Sequence, residues 1–478
     1  MDAPILTSLQ RLESHAWFAH APLQPRRAHL IGVAGCGMRA LADVLAGHGW
    51  QLSGSDCNAA AVRDLAAKKM RLFEGHAAAH LPCETELVIY SDAIPADNPE
   101  LRRAVERGLP VVSYFQMLGW LTAGCHTVAI AGTHGKSTTT AMAAQVMIDA
   151  GRDPTVFCGA TPFGASSGGR TGDNGLVLVE ACEYRANFLN LRPQHAAILG
   201  IEPDHFDCYD SLEQIEHAFR QFAQLVPEGG LLLVRYDCDS TRRATAGLRC
   251  RIESFGCSPE ADWSAHRLTE EQGRFSYEIH HRGQPFCEVR LRMPGRHNVL
   301  NSLAAAALAW QNRATAEQIA AGLGGFAGLH RRLEVLGTWQ GVTLVDDYAH
   351  HPTEVATALD AVRGMFPHHR VWCVFQPHQV SRTARLLDEL AVSLQNADRV
   401  LVAEIFRARE GSPRPGEVTA ADLARKAAAL GVAVLPGHTR GEIVRTLETH
   451  LAPGDVLVTL GAGDVAALRP GKSILVGT

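Results

Sequence analysis

The chain has 478 residues, 46% of them apolar and 20% charged, and a formal net charge of −5. That balance supplies neither a basic face for nucleic acid nor an acidic tail, so no polyanionic partner is expected, although a small anion can still meet a locally basic site. The length sets a prior of roughly two to four domains.

Twelve cysteines are scattered with no C-x-x-C pair, which argues against a zinc ribbon or a thioredoxin-type redox site and for reduced thiols in a cytoplasmic protein. No apolar run approaches the length of about 18 residues that a membrane helix needs. Residues 1–28 lack a basic segment followed by an apolar core, so they read as a short N-terminal extension rather than a signal peptide.

Residues 29–122 read as a first α/β domain. An apolar strand at 29–33 runs into Gly32-x-x-Gly35-x-Gly37-Met38 and an amphipathic helix to about Gly47, and a second strand ends at Gly54-Ser55-Asp56. Glycines after a first strand and an acid some twenty residues on are the pattern of a dinucleotide-type fold. The spacing is not G-x-G-x-x-G, and a tight turn with a solvated aspartate explains it equally well. Strand-like starts follow at 87 and 110.

Residues 123–329 open on Val128–Thr140, VAIAGTHGKSTTT. A buried strand, a glycine turn (Gly132, Thr133, His134, Gly135), then Lys136, Ser137 and Thr138 opening a helix is the arrangement that cradles a nucleotide triphosphate. Glycines let backbone N–H groups face phosphate oxygens, Lys136 brings a cation and Ser137 a hydroxyl for Mg²⁺. The loop is the shorter G-x-x-G-K-S form. Lys136 is also the only lysine between residues 70 and 425. Two further strands end in acids and a histidine: Glu180-Ala181-Cys182-Glu183 and Ile201-Glu202-Pro203-Asp204-His205. Strand ends of this kind carry ligands in α/β enzymes. Glu180 and His205 are the expected metal and catalytic groups beside Lys136. Glu183 is open to a reading as surface charge, and Asp204 to one as a helix cap. Residues 274–291 alternate as a β-hairpin, followed by Gly295-Arg296-His297-Asn298 and Asn301, where the asparagines suit a base or ribose.

Residues 330–478 read as a third α/β block, with strands expected at 342–345, 371–375, 399–404, 432–435 and 455–460. The turns after these strands carry Asp346-Asp347-Tyr348-Ala349-His350-His351 and Gln376-Pro377-His378. The paired histidines have poor spacing for zinc and suit contact with a small substrate better.

Taken in order, GCGM (35–38), GSD (54–56), YSDAIPADNPE (90–100), AGTHGKSTTT (131–140), EACE (180–183), IEPDHFD (201–207), MPGRHNVLNSLAA (293–305), RRLE (331–334), DDYAHHPTEV (346–355) and FQPH (375–378) resemble the muramyl ligases, nearest their alanine-adding branch. The resemblance implies three α/β domains: a Rossmann-like UDP-sugar domain, a central P-loop-type ATPase domain and a Rossmann-like C-terminal domain for the amino acid. It implies ATP and Mg²⁺, with UDP-N-acetylmuramate and L-alanine as substrates and no nucleic acid or membrane as partner. By the same resemblance Gly35, Cys36, Gly37, Met38, Asp56, His76 and Ser91 line the UDP-sugar site. Asn298, Arg332 and Asp347 join the phosphate loop around ATP, and Tyr348, His378 and Arg382 face the amino acid. Ser137, Glu180 and His205 hold the metal.

The chain departs from the family's usual pattern at Ala34, at Tyr114-Phe115-Gln116, at Ala349, and at Gln379, where an arginine usually helps hold the amino acid's carboxylate. No lysine is available for the carbamylated-lysine bridge of other branches, which is consistent with the alanine-adding one. Two alternatives stay open: a recycling ligase that joins a ready-made tripeptide to the same sugar, and a non-catalytic nucleotide-sugar-binding homologue.

Overall fold

The structure is a computed structural model that describes residues 26–65, 70–408 and 410–471. Positions 1–25 of the expected extension lie outside the described residues, as do Lys68, Lys69 and Lys472. The fold is α/β, built on three sheets.

The first sheet takes β1 (Arg27–Ile31), β2 (Gln51–Asp56), β3 (Arg71–Glu74), β4 (Leu87–Tyr90) and β5 (Val111–Ser113) in the order β3-β2-β1-β4-β5. All four pairings are parallel. The order reverses at β1, so a crevice opens beyond the ends of β1 and β4, where such sheets take ligands.

The second sheet is built from β6 (His126–Ala131), β7 (Thr155–Phe157), β8 (Gly169–Arg170), β9 (Leu176–Glu180), β10 (His195–Ile198), β11 (Leu231–Arg235), β12 (Arg251–Gly256), β13 (Trp263–Glu271), β14 (Arg274–His281) and β15 (Gln284–Pro294). It runs β15-β14-β13-β12-β11-β10-β6-β9-β7-β8. Its middle is parallel, with β6 between β9 and β10, and the expected hairpin continues it as antiparallel strands.

The Lys136–Asp149 helix lies against this sheet, and ten of its residues are buried, including Ser137 through Thr140. Burial on nearly every side requires a neighbour that comes close. The His297–Gln311 helix does so through Ala304–Ala307, whose side chains are at most 1% exposed. The alanine run 304–307 is therefore a packing face, since small side chains let two helix axes approach. On the opposite face Leu41, Val44 and Leu45 of the first domain share a core with Phe157, Phe188 and Phe219 of the second. Truncating such a side chain to alanine costs about 2–5 kcal/mol.

The third sheet takes β16 (Glu334–Trp339), β17 (Val342–Asp347), β18 (Val371–Phe375), β19 (Arg399–Val402) and β20 (Val456–Leu460) in the order β16-β17-β20-β18-β19. The strand expected at 432–435 does not form: Val434 makes one isolated bridge to Val400. Its apolar residues pack beside β19, but the segment is too short to add a ladder. β16 was not anticipated, because it is an exposed antiparallel edge strand without apolar alternation.

Candidate active site at the seam of the second and third domains

β6 ends at Ala131 and the chain turns through Gly132 and Gly135 into the helix that starts at Lys136. Gly135 has φ +81, and a Cβ there would stand 2.4 Å from Asn301 Oδ1. A left-handed backbone in contact with a neighbouring amide selects glycine. The turn leaves the first N–H groups of the helix facing outward, the arrangement that receives phosphate.

Lys136 folds back across this turn. Its Nζ donates to Gly132 O at 2.6 Å, to Thr133 O at 3.1 Å and to Glu183 Oε1 at 2.9 Å. Burial alone would lower the Lys136 ammonium, but the Glu183 carboxylate outweighs it and pushes the pKa up to about 12. Lys136 is therefore a fixed cation.

Glu183 is 3% exposed, so it is not the surface charge its sequence context allowed. Its Oε1 also lies 3.3 Å from His205 Nε2, and its Oε2 is buried without a hydrogen-bond partner. Burial opposes its ionisation, yet Lys136 and His205 keep its carboxyl below the usual range. A buried anionic oxygen with no donor beside a histidine and the Ser137 helix start is what a divalent cation would complete, so the donor set fits Mg²⁺. Glu180, at the end of β9, accepts from Gly159 N at 2.7 Å through Oε2. The carboxylate shared by Lys136 and His205 is thus Glu183. The sequence pattern favours Glu180 of the two acids in Glu180-Ala181-Cys182-Glu183, because Glu180 ends the apolar strand, whereas Glu183 reaches Lys136 through the irregular turn that follows.

His205 has φ +54, an unusual backbone for a residue with a side chain. Asp204 accepts its N–H at 2.7 Å. Asp204 does not cap a helix, since the next one begins at Leu212 with Ser211 as its cap. It pairs instead with Arg382 of the third domain, at 2.8 Å to both Nε and Nη2, with both side chains buried. Arg382 Nη1 meets His378, whose ring stacks on Phe406. The Arg382 fork is therefore partly occupied by a carboxylate of the protein itself. Gln379 has φ +70 and sits at the start of the Val380–Arg385 helix.

More contacts close this seam. Thr353 Oγ1 donates to Glu202 Oε2 at 2.6 Å, His351 Nε2 meets Pro203 O at 3.1 Å, and His134 Nδ1 meets Glu354 Oε1 at 3.0 Å. Burial opposes protonation of His134, but Glu354 and Glu202 outweigh it and raise its pKa to about 9.

A cavity of about 640 Å³ lies beside the phosphate loop, and Gly135, Thr138, Asn298, Arg332 and Asp347 line it. Asn298 is spent on local order: its amide donates to Pro294 O and accepts from Asn301, which in turn accepts from Thr139. Asp347 accepts from Leu333 N and Ala349 N, and burial raises its carboxyl to about 6. Tyr348 lies under Arg331 and Arg332, with guanidinium carbons 5.0 and 5.2 Å from the ring centre.

The remaining residues group at the first domain. Asp56 accepts from Ala34 N and Asn58 N, both at 2.9 Å, so its two oxygens shape the turn. His76 Nδ1 meets Ser55 Oγ at 3.0 Å and the buried Glu100 at 3.3 Å. Ser91 stands against Gly32, and Cys36 is exposed at the helix start after Gly35. Met38 is 2% exposed and part of the hydrophobic core, so its side chain does not enter the crevice. Gly37 carries the Tyr114 ring, which a Cβ would meet at 2.9 Å. The aromatic that departs from the family pattern therefore covers the first helix turn.

Comparison with known proteins matches three consecutive stretches: "Mur ligase family, catalytic domain" at residues 27–126, "Mur ligase middle domain" at 130–309 and "Mur ligase, glutamate ligase domain" at 331–463. A UDP-N-acetylmuramate–L-alanine ligase of Clostridium novyi is 38% identical over 442 residues, covering 92% of this chain and 95% of that protein. Among solved structures, the UDP-N-acetylmuramate-alanine ligase of Thermotoga maritima superposes with a TM-score of 0.78 at 25% identity, over 92% of this chain and 97% of that one. A murein peptide ligase of Psychrobacter arcticus superposes at 0.72 with 26% identity, over 93% and 97%.

Proposed function

The chain belongs to the Mur ligase family, and on that premise we propose that it joins L-alanine to the lactyl carboxylate of UDP-N-acetylmuramate at the expense of ATP, in the cytoplasm, for peptidoglycan precursor synthesis. The observation that carries the reading is the Lys136–Glu183–His205 cluster, aimed at the phosphate loop beside a cavity sized for a nucleotide. Gly132, Thr133, His134, Gly135, Ser137 and Thr138 surround the phosphates, with Asn298, Arg332 and Asp347 at the nucleotide's far side.

A carboxylate is a poor electrophile, so it must first be activated. A carboxylate oxygen takes the γ-phosphoryl group, the bond to the β-phosphate oxygen breaks, and ADP leaves with that electron pair. Lys136 neutralises charge on the phosphoryl oxygens and cannot lose its proton at neutral pH. Ser137, His205 and the acids Glu180 and Glu183 would hold Mg²⁺, which supplies further neutralisation there. The neutral amine of alanine then attacks the acyl phosphate and expels inorganic phosphate. Gly35, Cys36, Gly37, Met38, Asp56, His76 and Ser91 bound the UDP-sugar crevice, Met38 through its backbone. Tyr348, His378 and Arg382 bound the amino-acid side.

The similarity to a murein peptide ligase keeps a tripeptide in view as the amine. Incubation with ATP, Mg²⁺, UDP-N-acetylmuramate and either L-alanine or the tripeptide separates the two. ADP formation and a UDP-sugar heavier by one alanyl residue are expected with alanine. Faster phosphate release with the tripeptide would overturn the assignment.

A further inference from the structure

One cluster at the seam borders the phosphate loop and its cavity, and its carboxylate and third-domain histidine have no part in the phosphoryl transfer described above. His134 of the phosphate loop, Glu202 after β10 and His351 of the third domain each offer one ligand atom, and the three atoms lie within 4.8 Å of one another. They come from two domains and from three separate places in the sequence, which is why the His350-His351 pair gave no metal spacing when read alone.

The surroundings select the nitrogens. His134 Nδ1 meets Glu354 Oε1 at 3.0 Å, and His351 Nε2 donates to Pro203 O at 3.1 Å. An acceptor on one ring nitrogen holds a proton there and leaves the lone pair on the other, the second-shell arrangement of histidine ligands. The nitrogens left are His134 Nε2 and His351 Nδ1. The first is buried without a hydrogen bond, 3.4 Å from Glu202 Oε2. The second lies 3.8 Å from the same oxygen and accepts from Thr353 N at 3.3 Å as the cap of the helix that begins at Pro352, a long hydrogen bond that an ion would have to replace. Glu202 Oε2 also accepts from Thr353 Oγ1. Two carboxylates, Glu202 directly and Glu354 through the His134 ring, favour positive charge at this point. A proton on His134 meets that demand in part; a dication meets it more fully.

We propose that His134, Glu202 and His351 form a site for one zinc-type dication that ties the phosphate loop to the third domain. Two imidazoles and one carboxylate are a donor set suited to Zn²⁺ or Co²⁺, whereas Mg²⁺ prefers oxygen. The site is distinct from Ser137–Glu183–His205. Its ion would fix His134, so the loop could not rearrange around a nucleotide while the ion is bound.

The test is Co²⁺ titration of the tag-free full chain in excess Mg²⁺, followed by visible d–d absorption and then displacement by Zn²⁺. One Co²⁺ per chain with a tetrahedral-type spectrum is expected. Glu202→Gln and His351→Gln should each weaken it at least tenfold, and Glu354→Gln about tenfold or more through the second shell, with each variant's fold checked by circular dichroism. Absence of a tetrahedral Co²⁺ spectrum in the wild-type chain overturns the proposal. Unchanged affinity in both Glu202→Gln and His351→Gln does so too, and would place the ion elsewhere. The titration needs no substrate, so its failure is independent of the ligase assignment.

Discussion

The turn after β1 and the turn after β6 are built alike: a parallel strand, a glycine-bearing loop, then a helix whose N-cap is a glycine with no side-chain cap. Their side chains are spent differently. At the first, Asp56 holds the turn, His76 is held within its own domain, and Met38 is in the core. The crevice there presents mostly backbone. At the second, Lys136 and His205 converge on Glu183, one of whose oxygens is left over, and the loop after β10 grips the third domain. On the proposed function the first turn binds and the second reacts, and the contrast would lie in which polar atoms remain unsatisfied.

The largest expected effect breaks the second turn alone. Lys136→Ala removes the fixed cation and should raise the barrier by about 3–4 kcal/mol, a fall in kcat of a few hundredfold or more. Titration calorimetry should show UDP-N-acetylmuramate affinity unchanged within about twofold. Loss of both in a folded protein would mean that the two turns do not work separately.

Next in size is the seam. Arg382→Ala leaves the buried Asp204 without its guanidinium partner, at a cost of about 3 kcal/mol. It should raise the KM for alanine much more than that for ATP, and lower the unfolding midpoint in urea. An unchanged alanine KM would discard Arg382 as the amino-acid anchor.

The first domain has its own charge network. Burial raises the Glu100 carboxyl, but hydrogen bonds from His29 and Ser55 outweigh that and leave it lowered. A lowered carboxylate contributes stability above its unfolded pKa of about 4.3 and loses it as pH falls through the folded value. Glu100→Gln should therefore cost about 2 kcal/mol at pH 7, measured by urea unfolding, and the gap should close below about pH 4. A gap constant down to pH 3 would show that the charge is not what stabilises the network.

The smallest effect separates backbone from side chain at the first turn. Met38→Leu keeps apolar volume and should cost less than about 1.5 kcal/mol, with the KM for the UDP-sugar within about twofold. A tenfold rise would mean that the Met38 side chain touches the ligand.

The same contrast explains how much the sequence disclosed. The strand, turn and helix of 126–149 were legible because one local segment carries periodicity, glycine and lysine together. Glu183 was not, because its position depends on the irregular turn Tyr184–Asn190, where Arg185 and Ala186 have positive φ. Arg382 with Asp204, and His134 with Glu354, are 178 and 220 residues apart, and only the closed seam reveals them. The 432–435 segment misled because a short continuous apolar run suggests a buried strand but does not supply a ladder to a partner strand.

The most direct measurement follows an oxygen atom. UDP-N-acetylmuramate labelled with ¹⁸O in the lactyl carboxylate should hand one labelled oxygen to inorganic phosphate for each amide formed with alanine, with one ADP released in step. Phosphate free of label alongside new amide would contradict activation of the sugar acid by phosphoryl transfer at Lys136.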